Sequence, residues 1–318
     1  MADTDTDTDT DTSLIQTEIL IRIEEKMERL NAMRPLSADE IGKLNEELML
    51  LHTYHSNAIE GNTLTLSETE LIVNEGLTIG GKSLQEHLEA TNNAKAFGLI
   101  ETIAKNETQI GHVTIQRIHE VVTKAILEDS GKYRRKNVRI SGAIKTPPDW
   151  TKIVKLIDQL VFDVQESNLH PIETAAFLHH RFVEIHPFID GNGRVARLLT
   201  NLYLIGRNYP VIVVKKEDRK KYYQYLKSAD SGDISPFSNF IAKAVDESLT
   251  VYLSVYGGDD ELMPLGVIAQ NSPYSQEYLS LRARQGVLDA IKIKKMWHTS
   301  RRAFDKYLAL HGRRDDPS

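Results

Sequence analysis

The chain has 318 residues, 41% hydrophobic and 26% charged, so it can bury a sizeable core and is not an extended polar polymer. It contains no Cys, which excludes disulfide staples, Cys-ligated zinc and thiol nucleophiles, and no apolar run approaches the roughly 20 residues of a membrane helix. The net charge of −6 is uneven: residues 274–314 hold ten Lys/Arg against three Asp/Glu, which leaves +7 there and −13 over the rest. With no basic and apolar leader at the start either, the expectation is a cytoplasmic protein with no membrane partner.

Residues 1–12 are a Thr-Asp repeat with five Asp and almost no apolar surface, and are expected to be a disordered tail. Ile15, Ile19, Ile23 and Met27 recur every fourth position, which predicts a helix ending before Pro35. Ser37 with Glu40 forms a capping box ahead of the stripe Ile41, Leu44, Leu48 and Leu51. Ser67 with Glu70 and Ser83 with Glu86 repeat that start signal. Lys132 to Thr146 leans toward β-structure around a central Ser-Gly and stops at Pro147-Pro148, which predicts a small hairpin or flap. Helices are expected over Thr151 to Gln165, from Pro171 onward, over Val195 to Ile205, from Asp218 and from Ser235. Gly257-Gly258-Asp259-Asp260 opens an expected linker over 257–272.

Residues 186–197 read HPFIDGNGRVAR and concentrate a base, a carboxylate, two glycines around an amide, and two arginines. Gly191-Asn192-Gly193 can aim backbone N–H groups at one point where a helix starts, which makes an anion site. Asp190 suits Mg²⁺ held against phosphate oxygens. Arg194 and Arg197, three apart, can clamp phosphates, and His186 can accept a proton from a hydroxyl near neutral pH. His170, His179, His180 and His186 lack the spacing of a metal cluster.

This segment matches every fixed position of HxFx(D/E)GNGRxxR and resembles the Fic family, with the likeness spreading over roughly residues 40 to 245. The resemblance implies a mainly α Fic-fold domain over 13–256 with a β-hairpin flap, and protein AMP transfer from ATP with Mg²⁺. It implies His186 as the base and Asp190 as the Mg²⁺ ligand. It also implies a nucleotide site formed by Gly191, Asn192, Gly193, Arg194, Val195, Ala196 and Arg197, with Tyr222 and Tyr223 bordering the adenine. Val138, Arg139 and Ile140 on the flap would pair with the backbone of a protein substrate that offers a hydroxyl side chain. Asp230 departs from animal members of the family, which carry Asn at that place. Relatives that phosphorylate carry Lys in place of Gly193, so this chain keeps the AMP-transfer form; phosphocholine and UMP transfer stay open.

Ser56 to Asn62, SNAIEGN, resembles the family's inhibitory motif (S/T)xxxE(G/N) and precedes the catalytic loop. The resemblance implies that Glu60, with Ser56, pairs with Arg197 and shuts the site, or that Glu60 positions water for removal of AMP. Residues 273–314 read as a short helix, a hairpin turning at Lys294-Lys295 and a final helix, which resembles a small basic winged helix-turn-helix module. Binding to DNA and a role in homodimer formation or target docking both stand open for it. The competing overall reading is a nucleic-acid-binding transcriptional regulator whose Fic domain senses nucleotide.

Overall fold

The computed structural model describes residues 13–34, 38–106, 109–139 and 145–311. Thus the Thr-Asp tail, Ser37 and Ile140 lie outside the described residues, as does the side chain of Ile41. Ten helices build the larger unit: α1 (Thr17–Ala32), α2 (Ala38–Glu60), α3 (Leu66–Glu75), α4 (Leu84–Lys105), α5 (His112–Thr123), α6 (Ile153–Gln165), α7 (Pro171–Ile185), α8 (Asn192–Ile205), α9 (Arg219–Asp230) and α10 (Ser235–Ser254). Among the described residues no helix is long and apolar enough to cross a membrane.

At the centre lies α8, buried on every side from Val195 to Leu204, mostly apolar but with Arg197, Thr200 and Asn201 buried among the apolar residues. Packed against it are α7, α4, α5 and α2. Across the unit, α1 lays Ile19, Ile23 and Leu30 on α10, as its four-residue spacing requires. The helix α3 starts at Thr65, whose hydroxyl accepts from the Glu68 amide while Glu68 accepts from the Thr65 amide. This box precedes the expected Ser67 start because Thr65 is already extended. The box of Ser83 and Glu86 opens α4 as its spacing indicates.

No strand is assigned over the described residues 132–139 and 145–146; the centre of the expected hairpin, 140–144, lies outside the described residues. Arg134 ties the start of this segment to the site: its amide donates to the Pro187 carbonyl (2.9 Å) and its side chain turns inward.

A second core forms from Leu265, Ile268, Leu279, Leu288, Phe304 and Tyr307. It is built from β1 (Leu262–Pro264), α11 (Leu265–Gln270), α12 (Gln276–Arg284), β2 (Ile291–Ile293), β3 (Met296–Ser300) and α13 (Arg301–His311). The sheet runs β1-β3-β2, antiparallel throughout. Residues 257–272 are therefore not a linker: Leu262 pairs with Ser300, and Leu265 and Ile268 are core residues. The glycines and aspartates at 257–260 mask the apolar run that follows, which has to be buried.

Charge joins the two units. Lys26, 5% exposed, bonds Asp246 of α10 and Asp289 of the second unit, both at 2.7 Å. Arg22 donates to Asp246 (2.6 Å), while Arg29 pairs with Asp260 and Lys306 with Glu25. A lysine this deeply buried persists because two carboxylates and the Thr250 hydroxyl (2.6 Å) satisfy it.

Candidate active site

Between α7 and α8 the chain reverses through residues 186–191. His186 ends α7 in the left-handed region at φ 51°, its amide donating to the Phe182 carbonyl (3.0 Å), and Pro187 forbids continuation. A non-glycine residue held there is strained, which fits a position fixed by function. Phe188 is buried and stacks on His119, with centroids 3.6 Å apart and planes 2° apart. The Asn192 side chain accepts from the Phe188 amide and donates to its carbonyl, both at 3.0 Å, so it braces the loop and is not free to contact a ligand. Gly191, at φ 80°, has the Thr123 methyl 3.0 Å from where a Cβ would stand; both conformation and space demand glycine.

The open helix-start amides lie one residue further on than the sequence suggests. The Gly191 amide donates to its neighbour Asp190 (2.7 Å), and the Val195 amide to the Gly191 carbonyl (3.0 Å). The amides of Asn192, Gly193 and Arg194 find no acceptor among the described residues, so three N–H groups converge at the positive end of α8. Val195 and Ala196 are wholly buried in the core, and their side chains line no nucleotide site.

His186 donates through Nδ1 to the Val183 carbonyl (3.3 Å), which leaves Nε2 as the proton acceptor. Burial depresses its pKa below the usual 6.5 and the Arg134 guanidinium reinforces this, against the opposing pull of the Val183 carbonyl, Asp190 and Glu60. The imidazole is therefore neutral at pH 7, as a base must be. Asp190 keeps a side chain 57% exposed, with one oxygen on the Gly191 amide and the other 3.3 Å from Arg194. Arg194 Nη1 also lies 3.3 Å from Glu89, while its buried Nε and Nη1 find no hydrogen-bond partner among the described residues.

Arg197, 2% exposed, donates from Nε to the Ser56 hydroxyl and from Nη2 to the Ser56 carbonyl, both at 2.9 Å. The same Nη2 donates to Glu60 Oε1 at 2.7 Å. Glu60 Oε1 also presses on Gly193: a Cβ there would meet it at 2.3 Å. A carboxylate thus occupies the space beside the open amides and holds the arginine. Tyr222 is buried behind Arg197, its hydroxyl 3.5 Å from Nη1 and bonded to His179 Nε2 (2.8 Å). It stands behind the arginine, whereas Tyr223 is half-buried beside Arg219. His179 bonds Thr200 (2.9 Å) and His180 bonds Asp230 (2.9 Å), so the histidines are spent on structure. Asp230 is thereby engaged as well. Val138 is half-buried and Arg139 exposed.

Two contributors carried no sequence signal. His119 accepts the Gly131 amide at Nδ1 (2.9 Å) and donates from Nε2 to the Asp190 carbonyl (3.1 Å), and burial lowers its pKa to about 4. Arg134 donates to the carbonyls of His186 (2.8 Å), Lys136 (2.9 Å) and Pro148 (2.6 Å). Arg134→Ala leaves three carbonyls without their charged donor. It is expected to cost about 3 kcal/mol, read as a lower urea midpoint; an unchanged midpoint would refute this role.

A family model described as Fic/DOC matches residues 109–204. The "Protein adenylyltransferase Fic" of Nematostella vectensis is 35% identical over 259 residues, 79% of this chain and 58% of that one. A Glu-to-Gly variant of a Fic-1 fragment from C. elegans is 30% identical with a TM-score of 0.66, over 74% of this chain and 71% of that one. The chain belongs to the Fic family. A Fic domain containing signaling protein from Bacteroides thetaiotaomicron superposes with a TM-score of 0.69 at 28% identity, over 74% of this chain and 97% of that one. This Fic chain spans a little over half the length of the curated relatives it matches. The family match takes in α5 to α8, hence His119, Arg134 and the 186–197 loop, and stops short of Ser56 and Glu60 in the preceding sequence.

Proposed function

We propose that this Fic protein transfers AMP from ATP to a hydroxyl side chain of a protein, and that Glu60 holds the site closed at rest. One observation carries the reading: a neutral, Nε2-open His186 stands beside three free helix-start amides, with a carboxylate seated where the end of a triphosphate would go. The names of the animal relatives point the same way. The Nε2 of His186 takes the proton of the target hydroxyl. Its oxygen forms a bond to the α-phosphorus while the bond from that phosphorus to the bridging oxygen breaks, and pyrophosphate leaves. The amides of Asn192 to Arg194 and the Arg197 guanidinium bind the phosphates and hold their charge.

Asp190 fits a magnesium ion: it is a hard, exposed donor, and Mg²⁺ commonly takes one or two carboxylates, with phosphate and water oxygens completing its shell. Such an ion would neutralise phosphate charge when bound. With the Glu60→Gly variant and a lysate, ATP labelled at the α-phosphate should label protein and γ-labelled ATP should not. Incorporation of γ-label would replace AMP transfer with phosphoryl transfer. No incorporation from either would remove the enzyme reading and leave nucleotide sensing.

A further inference from the structure

We infer that the C-terminal unit binds double-stranded DNA, with α12 in the major groove and the β2–β3 hairpin on the flanking phosphates. The topology supplies the frame. Helices α11 and α12 are joined by residues 271–275 and followed by a hairpin, the order in which a helix-turn-helix presents its second helix to DNA. Leu279 and Ala283 bury one side of α12 in the second core. The solvent side of α12 exposes Glu277, Tyr278, Leu281 and Arg284, flanked by Gln276 and the half-exposed Ser280, and Gln276, Ser280 and Arg284 can hydrogen-bond to base edges or phosphates.

Charge then separates the two sides of the unit. The cations facing the Fic core are paired, Arg302 with Asp260 and Lys306 with Glu25. Asp289 is turned the same way onto Lys26. Arg284, Lys292, Lys294 and Lys295 are exposed and have no ion pair among the described residues; Glu277 is the only carboxylate of α12. The end of α12 and the hairpin thus carry four exposed, unneutralised cations. A polyanion with regularly spaced charge and readable edges suits that surface better than an acidic protein patch does.

The hairpin offers a test free of folding artefacts. Lys294 and Lys295 turn the chain with φ of 45° and 71°, the two-residue geometry for which Asn-Gly is the preferred sequence. Replacing Lys294→Asn and Lys295→Gly together removes two cations while relieving the turn. The full chain, mixed with a labelled duplex of about 30 bp and followed by anisotropy, should bind with a salt slope of about −3.6 for four phosphate contacts. That slope means about 150-fold weaker affinity at 200 than at 50 mM salt. The double variant should show an unchanged or raised melting temperature, a slope near −1.8, and about 60-fold weaker binding at 0.1 M salt. Arg284→Ala should lower the slope by about 0.9. No binding at 50 mM salt, or a slope untouched by both variants, would overturn the assignment, as would capture of a protein by this face in place of duplex. None of these readings involves ATP, so they stand or fall separately from AMP transfer.

Discussion

Glu60→Gly should raise the initial rate of AMP incorporation by on the order of 10²-fold. The effect has two sources. The first is steric and electrostatic exclusion: Oε1 of Glu60 lies against Gly193, at the mouth of three free amides, so a phosphate oxygen and this carboxylate compete for the same donors. The second is sequestration, since Arg197 spends Nη2 on Glu60 at 2.7 Å. With the terminal phosphate unseated, the α-phosphorus is off line for an attacking oxygen, and a displacement near 1 Å carries a penalty of that order. Arg197 itself should stay in place in the variant, because Ser56 holds Nε and Nη2 and Tyr222 stands behind it.

Glu60→Gln separates the two sources. The amide keeps its bulk over Gly193 but loses the charge-assisted bond, so its rate should rise by far less than that of the glycine variant. Equal rates for wild type, Gln and Gly, measured with labelled ATP at saturation, would show that the carboxylate does not gate the site. Glu60 is a third exposed, so the pair contributes little to stability beyond its role in the site, and the Gly variant should lose only a few degrees of melting temperature.

The legible parts of this molecule are those where local chemistry dictates the outcome. The signature loop could be read because its glycines, its amide and its histidine each answer a local demand. The Ser56–Glu60 spacing could be read because four residues on α2 place the hydroxyl and carboxylate on the same side of the helix, one turn apart. What each polar atom does in the loop could not be read. Asn192 braces Phe188, the Gly191 amide caps Asp190, and Tyr222 faces inward, because burial and hydrogen-bond competition are settled by distant partners such as Thr123 and His179. His119 and Arg134 were invisible for the same reason: apart from the Lys136 carbonyl beside Arg134, their partners are backbone groups 12 to 71 residues away in the chain. The apparent linker failed because Leu262 to Ile268 is a short apolar run whose strand partner lies nearly forty residues later.

His186→Ala should lower AMP transfer by about 10²- to 10⁴-fold, the contribution of a positioned general base. The loss should fall on kcat and leave ATP affinity close to that of the parent when both are measured in the Glu60→Gly background, because no phosphate contact is assigned to the imidazole. A matching loss of ATP binding would mean that His186 builds the pocket and does not serve as the base. The pH profile gives an independent check. Burial lowers the His186 pKa, so the base is deprotonated throughout the neutral range and kcat/KM should be flat there, falling only below the usual histidine value of 6.5. Other buried imidazoles sharpen the requirement on this measurement. His119 titrates at about 4 and His52 at about 3 in the folded chain, against 6.5 when unfolded. Below pH 6.5 the unfolded state therefore binds protons that the folded state refuses, and stability declines from there down to about pH 3, the value of His52. Rates in that window have to be set against the folded fraction measured by circular dichroism. An acid limb that persists after this correction reports the base itself, whereas one that vanishes with it would assign the loss of activity to the fold.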